Sequence, residues 1–164
     1  MPFVTEALRR FRRRALEHPT QAVLPAVFVL EPDMYLASAV VASWYPVATL
    51  QLLGATGAAA TEARRATLGH AIAALGARTV VVCAEGSGQP NASGAADALL
   101  AGCTAVRQDP ALGSAAGAPI VTEALWFDVV EGDLYRWSPS ARRFELLADD
   151  ALSRFLEEVK SRAA

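Results

Sequence analysis

The chain switches repeatedly between short, continuous apolar runs and longer stretches with helical periodicity. Residues 26–30, Ala-Val-Phe-Val-Leu, stop abruptly at Glu31-Pro32-Asp33, which predicts a short strand buried on both faces. Residues 47–53 predict a second strand, closed by the turn Gly54-Ala55-Thr56-Gly57. Thr61 stands where a helix cap belongs, with Glu62 in the first turn, Leu75 near the end and Gly76 as the stop. Thr79 to Cys83 predicts a third buried strand, followed by the loop Glu85 to Pro90. Residues 91–107 predict a helix weakened by Gly94 and Gly102, and the Gly, Ala and Pro of residues 109–119 predict a loop. Ile120 to Val130 and Leu134 to Trp137 flank Glu131-Gly132-Asp133, the pattern of an antiparallel hairpin. Amphipathic helices are expected at both ends, over residues 4–17 and from Ala148 to Arg162.

Strands alternating with helices predict an α/β fold, a mostly parallel β-sheet flanked by helices with a C-terminal antiparallel hairpin. The expected organisation is one domain over 1–164, with a helical arm at 1–18 and a terminal helix at 148–164.

Composition narrows the class. With 53% hydrophobic residues and a net charge of −2, the chain has the makings of a packed core and not of a disordered polymer. An isoelectric point near 5.7 argues against a nucleic-acid partner, and two cysteines exclude a disulfide scaffold. Pro25, Glu31, Asp33, Pro46 and Gln51 interrupt every apolar run before it reaches the ~18 residues of a membrane span. The arginine-rich start lacks a signal-type apolar segment, so a cytoplasmic location is expected. Alanine, at 35 of 164 residues, adds apolar count without much buried area. A core of such small side chains is expected to draw on a partner surface. Arg9, Arg10, Arg12, Arg13 and Arg14 fit either a solvated helix face or an oligomer contact.

In open parallel sheets, ligands bind beyond the carboxyl ends of the strands. Three loops fit that place: Glu31 to Tyr35, Gly54 to Ala58 and Glu85 to Pro90. Glu31, Asp33 and Glu85 are therefore the candidate catalytic or metal-holding groups, either a hard-cation site or an acid/base pair. The plainer reading is a solvated or ion-paired cluster. Cys83 and Cys103 read as buried structural thiols, with Glu85 and Asp33 opposing thiolate at Cys83. His18 and His70 have no Cys or His at ligand spacing. The glycine-rich Gly86–Gly88 turn could present amides to a small anion, although Glu85 would repel one. Trp126, Phe127, Tyr135 and Trp137 serve either as core or as a subunit interface.

The loops and their order resemble the β-class carbonic anhydrases. That family has an apolar strand ending in Cys-x-Asp-x-Arg, a strand with an Asn-Ala-Gly turn, a helix running to Leu-Gly, and a Val-rich strand ending in Gly-His-x-x-Cys-Gly. The matching stretches are Glu31-Pro32-Asp33-Met34-Tyr35, Gly54–Gly57, Thr67 to Gly76, and Val80 to Gln89. Trp126 to Leu134 is similar to the family's terminal hairpin, so the likeness spans about residues 25–137. The family's three zinc-ligand positions correspond here to Glu31, Glu85 and Gly88, and its arginine partner of Asp33 to Tyr35. The resemblance thus implies the family's fold and dimeric habit without its zinc site. It leaves a homodimeric structural, regulatory or partner-binding protein with no cofactor. The alternative is an enzyme of altered chemistry, a hydrolase or lyase, built on Glu31, Asp33 and Glu85.

Overall fold

The computed structural model describes residues 26–30, 49–52, 58–92, 94–131 and 133–162. Six strands form one sheet: β1 (Ala26–Leu30), β2 (Thr49–Leu52), β3 (Thr79–Gly86), β4 (Val121–Asp128), β5 (Leu134–Ser138) and β6 (Arg143–Leu146). Their spatial order is β2-β1-β3-β4-β5-β6. The first four are mutually parallel, and β5 and β6 add on antiparallel. Four helices accompany them: α1 (Ala58–Leu75), α2 (Ala95–Arg107), α3 (Pro110–Ala116) and α4 (Asp149–Arg162). The predicted arm at 1–18, including His18, lies outside the described residues.

Strand alternation sorts the core into two layers. Val27, Val29, Val80, Val82, Ala124 and Trp126 pack with Leu68 and Ile72 of α1, Leu99 and Cys103 of α2 and Leu112 of α3. The opposite face carries Phe28, Val81, Cys83, Leu125 and Phe127, all essentially inaccessible. Leu152, Phe155 and Val159, at helical spacing on α4, are buried as well.

Small side chains set the helix spacing. A Cβ at Gly69 of α1 would rest 3.8 Å from Leu112 Cδ2 and 3.9 Å from Ala115 Cβ, so α1 and α3 approach across a nearly bare backbone.

Several boundaries differ from the sequence expectation. Helix α1 begins at Ala58, so Thr61 is inside it and not its cap; three alanines, the strongest helix formers, extend the start. Its end is as expected: Gly76 turns left-handed (φ 65°), and Ala77 N–H donates to Ile72 O at 3.1 Å. Strand β3 runs three residues past Cys83, because β4 offers a full-length partner. Helix α2 starts at Ala95 and not at 91, since Pro90–Ala92 is a separate 3₁₀ turn. Asn91 in that turn exchanges two hydrogen bonds with the Phe144 backbone (2.8 and 3.1 Å), which engages both backbone groups of β6 at that residue.

The predicted loop at 109–119 contains helix α3. Asp109 Oδ1 caps it by accepting from Ala111 N–H at 2.9 Å, Pro110 opens it, and left-handed Gly117 ends it. Arg65 Nε donates to Asp109 Oδ2 at 2.7 Å and ties the cap to α1. Strand β6 was not anticipated, because one buried residue, Phe144, is all its alternation shows.

A charged cluster joins α4 to the sheet. Glu123, nearly buried on β4, accepts from Arg136 on β5 through both oxygens at 2.9 Å, and from Arg162 of α4 at 2.9 Å. Arg136 also donates to Glu158 at 2.7 Å and lies 4.9 Å from the Phe155 ring centroid. These carboxylates hold the Arg136 guanidinium proton more tightly than usual, although burial alone pulls the other way. Removing Glu123 leaves two guanidinium groups facing each other without it. Glu123→Ala is expected to cost about 3 kcal/mol in urea unfolding, while Glu158→Ala, at the exposed rim, costs about 1 kcal/mol or less. Equal losses would show that burial of Glu123 contributes nothing special.

Candidate functional site

The carboxyl end of the parallel sheet is shaped by β3 and β4. Their register runs without a break from Thr79 opposite Val121 to Gly86 opposite Asp128. Beyond it, Asp128 is 1% exposed, and its Oδ1 accepts three backbone N–H groups. These come from Gly88 at 3.0 Å, Val130 at 2.9 Å and Glu131 at 3.3 Å. Val129 N–H donates to Gly86 O at 3.0 Å, and Asp128 N–H donates to Asp133 O at 2.9 Å. One carboxylate oxygen therefore organises both the turn after β3 and the turn after β4. Asp128 Oδ2 is buried and makes no hydrogen bond.

Trp126 completes the closure. Its indole N–H donates to Gly88 O at 3.1 Å. Its six-membered ring lies so close to Gly86 that an added Cβ would stand 2.3 Å from Cζ2 and 2.6 Å from Cη2. Gly86 is required by that approach, and Gly88 by its left-handed backbone (φ 86°). Both glycines serve the packing of an indole against a turn.

Of the three candidate carboxylates, the described residues include Glu85 alone; Glu31 and Asp33 lie outside them. Glu85 sits on β3 opposite Phe127, half-buried. Gly88 has no side chain, and its N–H and C=O are engaged by Asp128 and Trp126. Zinc takes thiolate or imidazole, whereas the end of β3 offers the Glu85 carboxylate and a Gly88 backbone that is already engaged. Among the described residues no group of three His, Cys, Asp or Glu side chains is placed to hold a metal.

The anion reading of the glycine turn also meets an obstacle. The Gly88 amide, which an anion would need, already donates to the Asp128 carboxylate. Cys83 and Cys103 are free and buried. Burial pushes the Cys83 thiol well above 9.0, with Cys103 adding to it. Cys103 rises to about 12 through burial, with Arg107 pulling down and Glu123 pushing up. Both are therefore protonated and inert at neutral pH. His70 projects from the exposed face of α1. Trp126, Phe127 and Tyr135 are buried core residues, and Trp137 packs edge-on against Phe144 at 5.2 Å.

Sequence reasoning missed Asp128. The signal was present, since an acidic residue that ends an apolar strand before a glycine-containing turn is a frequent acceptor of turn amides. No helix among the described residues is long and apolar enough to cross a membrane. No family model, curated protein or solved structure matches the chain.

Gly86→Ala is expected to destabilise by about 2 kcal/mol, because the methyl group collides with the Trp126 ring. Trp126→Phe removes the two colliding atoms, so the double variant should lose less than the sum of the single losses in thermal unfolding. Additive losses would mean that the ring does not press on Gly86.

Proposed function

We propose that this chain is a β-carbonic-anhydrase-like protein without the family's zinc chemistry, acting as a homodimer in a structural, regulatory or partner-binding role. The observation that carries the reading is at Gly88. Where the family resemblance calls for a zinc ligand, the chain has a left-handed glycine whose amide is bound to Asp128 and whose carbonyl is bound to Trp126. Glu85, at the neighbouring ligand position, is a hard oxygen donor.

Support for the family likeness comes from the succession of elements. A short apolar strand, a second strand, a helix ending at Leu75-Gly76, a Val-rich strand and a later antiparallel pair occur in the order that the resemblance calls for. Hydration of carbon dioxide at neutral pH needs a hydroxide that zinc generates by lowering the pKa of its water. With Gly88 in place of a thiolate, one of the three ligand positions that the resemblance calls for carries no side chain. A cytoplasmic location and a second copy of the chain belong to the same reading. The arginine-bearing arm and the small-residue core are the sequence features that favour self-association.

The test uses the full chain, incubated with equimolar zinc, desalted, and assayed for bound metal, carbon dioxide hydration and mass by light scattering. The expected result is far less than one zinc per chain, hydration at the uncatalysed rate, and a particle of twice the 17.3 kDa chain. Stoichiometric zinc with hydration activity overturns the reading, and a stable monomer removes its dimeric part.

A further inference from the structure

A concavity lies between α2 and the β4–β5 side of the sheet. It encloses about 310 Å³, within the lower range of small-ligand pockets. Its origin is the size of the residues beneath it. Ala124 on β4 and Cys103 on α2 are buried and small, while Trp137 and Pro139 stand at the side as a large apolar wall. Trp137 packs edge-on against Phe144 at 5.2 Å, which supports the wall.

The polar lining is one cation and two hydroxyls. Arg107 Nη1 donates to Thr122 Oγ1 at 3.1 Å, and Nη2 donates to Thr104 Oγ1 at 3.4 Å. Thr104 in turn donates to Leu100 O at 3.1 Å, which orients its oxygen toward the arginine. Neutral acceptors thus fix the guanidinium while leaving its charge uncompensated, and no carboxylate lines this cavity among the described residues. The Cys103 thiol on the floor donates to Glu123 O at 3.6 Å and carries no charge at neutral pH. A concavity of about 340 Å³ beside β5 and α4 differs in charge: carboxylates line it, and its arginines are paired, Arg136 with Glu123 and Glu158 and Arg154 with Asp150.

We infer that the cavity between α2 and the β4–β5 edge is a binding site for a small monocarboxylate with a flat apolar body. The carboxylate pairs with Arg107 at the mouth, in the planar two-point geometry that guanidinium offers. The body lies along Trp137 over Ala124. This site is independent of the zinc question and of the loops at the sheet end.

Sodium benzoate is the probe, and benzamide is its neutral counterpart. Both are titrated into the full chain by calorimetry, with thermal unfolding recorded in parallel. The inference requires saturable, one-to-one benzoate binding, at least ten-fold tighter than benzamide. Arg107→Gln, at an exposed position that does not threaten folding, should weaken benzoate at least ten-fold and leave benzamide unchanged. Ala124→Leu, which fills the floor, should abolish binding of both while the protein still melts cooperatively. No benzoate binding to folded protein, equal binding of benzamide, or undiminished binding to Arg107→Gln each overturns the inference.

Discussion

The unbroken eight-residue register between β3 and β4 is the constraint on which the rest depends. It places Gly86 opposite Asp128 and so brings the turns after both strands within reach of one carboxylate oxygen. Trp126 is two residues back on β4, so the same register lays its ring over Gly86 and its indole N–H against Gly88 O. A slip of one residue would turn Trp126 and Asp128 to the other face and dissolve the closure. At the opposite end, the register brings Thr79 beside Val121, and Val121 N–H donates to Arg78 O at 2.9 Å.

This arrangement decides how the sheet end can be used. Ligand crevices at such ends need side chains that project freely and backbone amides that remain available. Here the amide best placed to meet an anion is bound to Asp128, and the indole that could have lined a pocket fills the space above Gly86. The chemistry left to the site is that of a closed turn. The α2 cavity shows the opposite balance: small residues leave room, and a guanidinium keeps donors to spare.

The buried strands were legible because Ala26–Leu30 and Thr79–Cys83 are uninterrupted apolar runs, and continuous burial on both faces leaves just that trace. Helix α4 was legible because Leu152, Phe155 and Val159 recur at helical spacing. Helix α3 was hidden by its own composition: Gly, Ala and Pro suggested a loop, although Asp109-Pro110 at its start and Gly117 at its end are ordinary helix boundaries. Strand β6 was hidden because Phe144 is the one buried residue of its four, which leaves no alternation to read. Asp128 and the α2 cavity depend on which residues face each other across strands, and that information is set by register and not by local pattern. Small residues mark a helix contact at Gly69 and Ala115 and an opening at Ala124.

The central claim is that the turn after β3 is closed by Asp128 and Trp126 and is not a vacant ligand position. Amide resonances of the full chain, followed by NMR during zinc addition and by hydrogen exchange, test it directly. The account predicts that the Gly88 amide exchanges slowly, as a hydrogen-bonded group does, and keeps its position as zinc is added. Rapid exchange of Gly88, with shifts at Glu85 to Gly88 that saturate at one zinc per chain, would contradict it.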